Sequence, residues 1–242
     1  EEVIDATGCY LLPGIIDDHV HFRDPGLTHK ADILTESRAA AAGGVTSIMD
    51  MPNTNPLTVT LDALNAKLDL LNEKCIVNHS CYFGATNNNY TEFDKLDKHR
   101  VCGIKLFMGS STGNMLVDKM NSLLNIFNGT DMLIAAHCED QETIKNNIEK
   151  YKQKYKGADD IPVSAHPSIR SVPACYASSE LAVRLAKIAG ARLHILHVST
   201  AKELQLFSDE PLASKNITAE ACVAHLSFYA DALQQSGHTH KV

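Results

Sequence analysis

The chain has 242 residues, 44% of them hydrophobic and 21% charged, which is enough for one sizeable core in a globular domain. Its net charge of −7 argues against nonspecific binding to nucleic acid or to an anionic membrane surface. No apolar run approaches the roughly 20 residues of a membrane span, and no secretory signal is visible.

The seven cysteines (Cys9, Cys75, Cys81, Cys102, Cys138, Cys175 and Cys222) are scattered and form no CxxC pair, as expected of reduced core thiols in a cytoplasmic protein. Both ends look cut: the chain starts in mid-pattern at Glu1 and stops at Val242 without a cap or tail, so a fragment is expected.

Taken in order, residues 1–13 alternate weakly and suggest one or two strands of a unit whose remainder is missing. An apolar run over about 14–21 reads as a buried strand, ending in His19, His21, Arg23 and a Pro25-Gly26 breaker. A helix is predicted near 35–43, closed by Gly43-Gly44, and a second strand over 45–51, ended by Pro52-Asn53-Thr54-Asn55-Pro56. Residues 60–74 have helical spacing, with Leu61, Leu64, Leu68 and Leu71 on one face. A third strand follows over about 75–83, a short helix near 91–98, and a fourth strand at 103–108 before the Gly109–Gly113 loop. Then come a helix at 117–128, a strand at 132–137, a charged helix at 140–156 and a loop at 157–166. The last predicted elements are a helix at 171–189, a strand at 192–198, a helix from about 200 and a strand at 217–223.

Strand and helix alternate at least six times, which calls for a parallel sheet with helical crossovers. Seven strands in this length fit an incomplete TIM-like (β/α)8 barrel over 14–242, its eighth unit expected beyond Val242, because a full barrel takes about 250 residues. An open doubly wound sheet is the alternative, but no GxGxxG follows the first strand.

Active sites of such barrels lie at the C-terminal ends of the strands. His19 and His21 end the first strand, and their i, i+2 spacing points both rings to one side. Lys105 lies in the fourth strand, His137 ends the fifth and His197 sits late in the sixth. A single strand histidine is usually a hydrogen-bonded core residue. Four at matching strand ends, with a lysine that is seldom buried without a partner, point to a metal centre. His194 is placed on the opposite face from His197 by its odd spacing, while His79 and His225 are candidates to support ligands from behind.

The segments His19-Val20-His21-Phe22-Arg23-Asp24-Pro25-Gly26, Met51-Pro52-Asn53-Thr54, Lys105-Leu106-Phe107, His137-Cys138-Glu139-Asp140 and His197-Val198-Ser199-Thr200 together resemble dihydroorotase of the amidohydrolase superfamily. The resemblance runs from about residue 8 to the end. It implies a (β/α)8 barrel, with residues 1–13 as part of a small β-sandwich domain. It also implies two Zn2+ ions, the first held by His19 and His21, the second by His137 and His197, and both bridged by an N6-carboxylated Lys105. The activity implied is reversible hydrolysis of L-dihydroorotate to N-carbamoyl-L-aspartate in pyrimidine biosynthesis, with His21, Arg23 and Asn53 contacting the substrate. Arg23 suits a carboxylate because a guanidinium offers a bidentate fork. Otherwise it would simply pair with Asp24 or Asp18, and Asn53 would be a turn residue.

The family's general acid/base is an aspartate on the eighth strand, expected after Val242; Asp231 is in the wrong place, so the 242 residues alone are expected to bind metal poorly and catalyse little. A cytoplasmic homodimer acting on a small molecule, without nucleic acid or membrane, is the expected setting. Allantoinase or dihydropyrimidinase (hydantoinase) activity is the alternative on the same metals, and a catalytically inactive scaffold is a third reading.

Overall fold

A computed structural model describes residues 3–109, 114–156 and 161–228. The glycine- and serine-containing loop at 110–113, part of the 157–166 loop, Asp231 and the terminal His238–Val242 segment lie outside the described residues.

The elements follow one another as β1 (Ile15–Val20), α1 (Ile33–Ala42), β2 (Val45–Asp50), α2 (Leu61–Lys74), β3 (Asn78–Gly84), β4 (Val101–Phe107) and α3 (Met120–Asn128). They continue with β5 (Ile134–His137), α4 (Gln141–Lys154), α5 (His166–Ile169), α6 (Val172–Ala189), β6 (Leu193–Ile195), β7 (Ile217–Ala219) and α7 (Val223–Ser227). Residues 3–14 form no regular element, and the chain enters the sheet at Ile15.

All seven strands lie in one sheet in the order β1-β2-β3-β4-β5-β6-β7, and every neighbouring pair is parallel. A doubly wound sheet reverses its strand order at a switch point. Here the order never reverses, so the sheet is the curled wall of an incomplete β/α barrel, as seven strands in this length predict.

The helices form where the sequence supplies both a cap and a face. Asp32 and Thr60 accept the backbone N–H of Thr35 and Ala63 and so cap α1 and α2, while Asp140 accepts that of Thr143 at the start of α4. Leu64, Leu68 and Leu71 of α2 are buried against the sheet; burial of each such side chain contributes about 1.5–3 kcal/mol. The main core lies between the sheet and its helices, and a smaller cluster of Met51, Tyr82, Ala135 and Leu196 fills the inner face.

Two expected helices are 3-10 turns instead, Tyr90–Lys95 and Ala201–Leu206. Each has six residues, and tight turns of this type serve as short connectors. The sixth and seventh strands also end earlier than predicted: Leu196 still bonds to Ala136 across the sheet, but His197 turns into the left-handed region at φ 40°. Cys222, read as part of the last strand, instead precedes α7. All seven cysteines are unpaired, as expected. Burial pushes the thiols of Cys81, Cys102 and Cys138 up to about 12, so they serve as apolar packing groups.

Candidate metal centre

The structure brings together all four singled-out histidines at the C-terminal end of the sheet. His19 Nε2 lies 3.3 Å from His21 Nε2, and His137 Nδ1 lies 3.0 Å from His197 Nε2. The two pairs adjoin one another, with the His19 and His197 ring centroids 5.4 Å apart.

The outer nitrogens explain why the inner ones converge. His19 Nδ1 is 2.5 Å from Glu220 Oε1, His21 Nδ1 is 2.8 Å from Asn53 Oδ1, and His137 Nε2 is 2.9 Å from Glu139 Oε2. Each acceptor fixes a tautomer that puts the proton on the outer nitrogen and leaves a bare lone pair facing the neighbouring ring. With Zn–N bonds of about 2.0–2.1 Å and tetrahedral angles, two ring nitrogens on one ion lie about 3.3 Å apart. Both pairs are close to that spacing, so the donor set fits one divalent ion per pair.

The electrostatics agree. Burial, reinforced by neighbouring positive groups, pushes His21 down to about 3 and His197 down to about 2, and burial also lowers His137. All three are therefore neutral imidazoles at pH 7, the form that ligates metal.

Lys105 lies on β4 beneath these rings, with only 1% of its surface exposed. Its Nζ rests 4.4 Å from the centre of the Phe107 ring, and burial pushes its pKa down to about 7. A substantial fraction is thus free amine at neutral pH, the form that adds CO2 to give a carbamate. An uncompensated ammonium would repel two cations, whereas the carbamate would be an anionic bridge.

The β1 and β2 loops place Arg23 and Asn53 beside His21. Asn55 N donates to Pro25 O at 3.0 Å, and Gly26, at φ 80°, packs so closely on the Asn55 carbonyl that a Cβ there would collide with it. Asn53 orients His21 through its Oδ1, a contact the sequence did not suggest. Neither of the alternative ion pairs of Arg23 forms: Asp24 Oδ2 binds Lys74 Nζ at 2.9 Å, and the Asp18 carboxylate faces His194 at 3.8 Å. Among the described residues the Arg23 guanidinium has no hydrogen bond or ion pair, and its positive charge is felt by His21.

Sequence reasoning missed Glu220, the residue on which this end of the sheet converges. Its Oε1 also accepts the His197 backbone N–H at 2.9 Å, and its Oε2 lies 3.3 Å from His194 Nε2. His194 and His197 are therefore linked through one carboxylate rather than separated on opposite faces, because the left-handed turn at His197 breaks strand alternation. Burial alone would raise the Glu220 pKa, but hydrogen bonds from His19 and His194 outweigh it and hold the carboxyl below its usual range. The ligand atoms of His19, Glu220 and Cys222 lie within 4.8 Å of one another, as do those of Asp18, His194 and Glu220. Glu139 was also missed as an orienting group; Arg170 grips the carboxylate oxygen that His137 uses. Of the two supporting candidates, the His225 ring is 6.4 Å from His197, whereas His79 turns away to Asn72 and Val77.

The Dihydro-orotase-like family model matches residues 8–203. A dihydroorotase of Listeria innocua is 32% identical over 228 residues, 93% of this chain and 51% of the relative. An allantoinase of Deinococcus radiodurans is 28% identical over 245 residues, 98% of this chain and 53% of the relative. Among solved structures, L-hydantoinase (dihydropyrimidinase) from Arthrobacter aurescens aligns with a TM-score of 0.89 at 28% identity, covering 99% of this chain and 53% of that one. The chain thus spans about half the length of the curated relatives it matches. Among the described residues, no helix is long and apolar enough to cross a membrane. With histidine pairs, buried lysine and family match in agreement, the chain belongs to the dihydroorotase-like family of the amidohydrolase superfamily.

Proposed function

We propose that the full-length protein is a zinc-dependent cyclic amidohydrolase that reversibly hydrolyses L-dihydroorotate to N-carbamoyl-L-aspartate, a reaction of pyrimidine biosynthesis. The observation that carries the choice of substrate is the Arg23 guanidinium, held beside His21 with no protein partner among the described residues. A cationic fork left unpaired next to a metal centre calls for an anion, and dihydroorotate has a carboxylate beside its cyclic amide.

In this reading His19 and His21 would hold one zinc ion and His137 and His197 the other, with Lys105, as its carbamate, a further anionic ligand. When bound, zinc would polarise the ring carbonyl and lower the pKa of water near neutrality. The chain's own residues set the geometry. Glu220, Asn53 and Glu139 keep protons on the outer nitrogens of His19, His21 and His137, so that the inner nitrogens stay bare. Arg23 binds the substrate carboxylate, and the Asn53 amide N–H2, whose oxygen is engaged by His21, donates to the same group. This anchoring turns attack on the carbonyl into an oriented, effectively unimolecular step.

Allantoinase or hydantoinase activity is the second reading, favoured by the similarity to an allantoinase and to an L-hydantoinase. Neither allantoin nor hydantoin carries a carboxylate that a free arginine could bind. The test is to strip the full-length protein of metal, reload it with zinc and follow L-dihydroorotate and N-carbamoyl-L-aspartate by chromatography. Interconversion that depends on zinc is expected; a zinc-loaded, folded protein that leaves both unchanged would sink the proposal.

A further inference from the structure

Arg23 occupies an unusual place in the backbone. At φ 66° it lies in the left-handed region, which a non-glycine residue keeps only where its surroundings over-determine it. The residues on either side are tethered to one helix. Phe22 N–H donates to Asp50 Oδ1 at 3.0 Å, as does Met51 N–H, and Asp50 Oδ2 is 2.8 Å from Lys67 Nζ. The Lys67 ammonium also donates to the Met51 carbonyl at 2.5 Å. Seven residues later, about two turns along the same face of α2, Lys74 binds Asp24.

From these contacts we propose that Lys67 is a positioning residue for anion recognition: through Asp50 it locks the Phe22 and Met51 backbones and so fixes the separation of Arg23 and Asn53. The side chains of Lys67 and Asp50 are both 0% exposed; Lys67 stands on an α2 face whose other buried residues are leucines, and Asp50 ends β2. An apolar pair of similar volume is commonly as stable as a buried ion pair, so the consequence of this pair is geometric. It ties together one backbone group from each of the two loops that carry the proposed carboxylate contacts. Asp24–Lys74 restrains the far side of Arg23, and the Leu27 N–H closes on the Arg23 carbonyl at 3.0 Å. The inference rests on the carboxylate-binding role of Arg23 proposed above.

The experiment uses the zinc-reconstituted full-length protein. KM and kcat are measured with L-dihydroorotate, the Kd of N-carbamoyl-L-aspartate by calorimetry, and zinc by elemental analysis. Lys67→Met is expected to raise KM and Kd about ten- to a hundredfold, as for a misplaced positioning group, with zinc content unchanged. Its kcat should stay within about threefold of wild type. Because Lys67→Met leaves a buried carboxylate unpaired and can impair folding, Lys67→Met/Asp50→Asn provides the same test without a buried charge. In an Arg23→Ala background, the Lys67 change should raise Kd no further. Wild-type Kd in a folded double variant, or an equal rise in the Arg23→Ala background, would overturn the inference while leaving the proposed activity intact. If Arg23→Ala itself leaves KM and Kd unchanged, the carboxylate assignment falls, and the inference with it.

Discussion

Glu220 offers the sharpest perturbation of the proposed metal centre, because its contacts can be separated by choice of side chain. Glu220→Ala removes the acceptor 2.5 Å from His19 Nδ1 and frees the imidazole to adopt the tautomer that protonates the inner nitrogen. Loss of a carboxylate behind a metal-bound histidine typically costs 10–100-fold in metal affinity, or about 1.4–2.7 kcal/mol. The same change strips the acceptor from the N–H of partly buried His197 and from buried His194, so some stability goes as well. Glu220→Gln keeps an oxygen that can accept from His19 and from the His197 N–H while losing the charge. His194 can then satisfy itself through Thr218, 2.8 Å from its Nδ1. The expected order of zinc affinity is therefore wild type, Gln, Ala, with Gln nearer to wild type. The assay is zinc competition against a chromophoric chelator at pH 7, with thermal unfolding of the zinc-free proteins as a folding control. A folded Ala variant that binds zinc as tightly as wild type would show that Glu220 does not orient His19, and the tautomer argument would fail.

Three further outcomes follow from the same geometry. Arg23→Ala should lower kcat/KM for L-dihydroorotate by about 10–150-fold, the equivalent of losing a charge-assisted contact of about 1.5–3 kcal/mol, at constant zinc content; loss of zinc would instead make Arg23 structural. Lys105→Ala should abolish turnover and regain part of it with short carboxylic acids that can occupy the carbamate position; unchanged turnover without them would exclude a bridging lysine. In zinc- and CO2-free buffer, folded Lys105 has a pKa pushed down to about 7, against about 10.4 when unfolded, so the unfolded chain binds more protons between these values and this site's contribution to stability rises with pH there. The unfolding free energy of wild type relative to Lys105→Met should therefore climb from about pH 7 to about pH 10, and a flat difference would contradict a buried neutral amine.

The parts of the site that could be read from the chain are those governed by short-range periodicity. Strand alternation converges His19 and His21, and a lysine in the apolar run around Lys105 is conspicuous without any structure. The parallel sheet follows from the alternation of elements, and the barrel from seven strands in this length. What stayed hidden depends on long-range contact. Glu220 meets His19 across 201 residues, and no local pattern marks a glutamate after a short strand as the partner of a histidine at the other end of the chain. The freedom of Arg23 could not be read either, because it requires Asp24 to be claimed by Lys74, 50 residues away. His197 defeated the alternation rule by turning to φ 40° just past β6, which brought His194 and His197 to the same carboxylate. Lys67 does carry a local signal: it stands three residues after Leu64 on the buried face of α2, where a lysine must find a partner.

The measurement that bears most directly on the account is kcat/KM of the zinc-loaded full-length protein for L-dihydroorotate, set against hydantoin and allantoin under the same conditions. Arg23 beside the histidine pairs predicts a clear preference for dihydroorotate, and one that shrinks in Arg23→Ala. A preference for hydantoin or allantoin, unaltered by that substitution, would contradict the reading of Arg23 as a carboxylate receptor and return the chain to the other cyclic amidohydrolases it resembles.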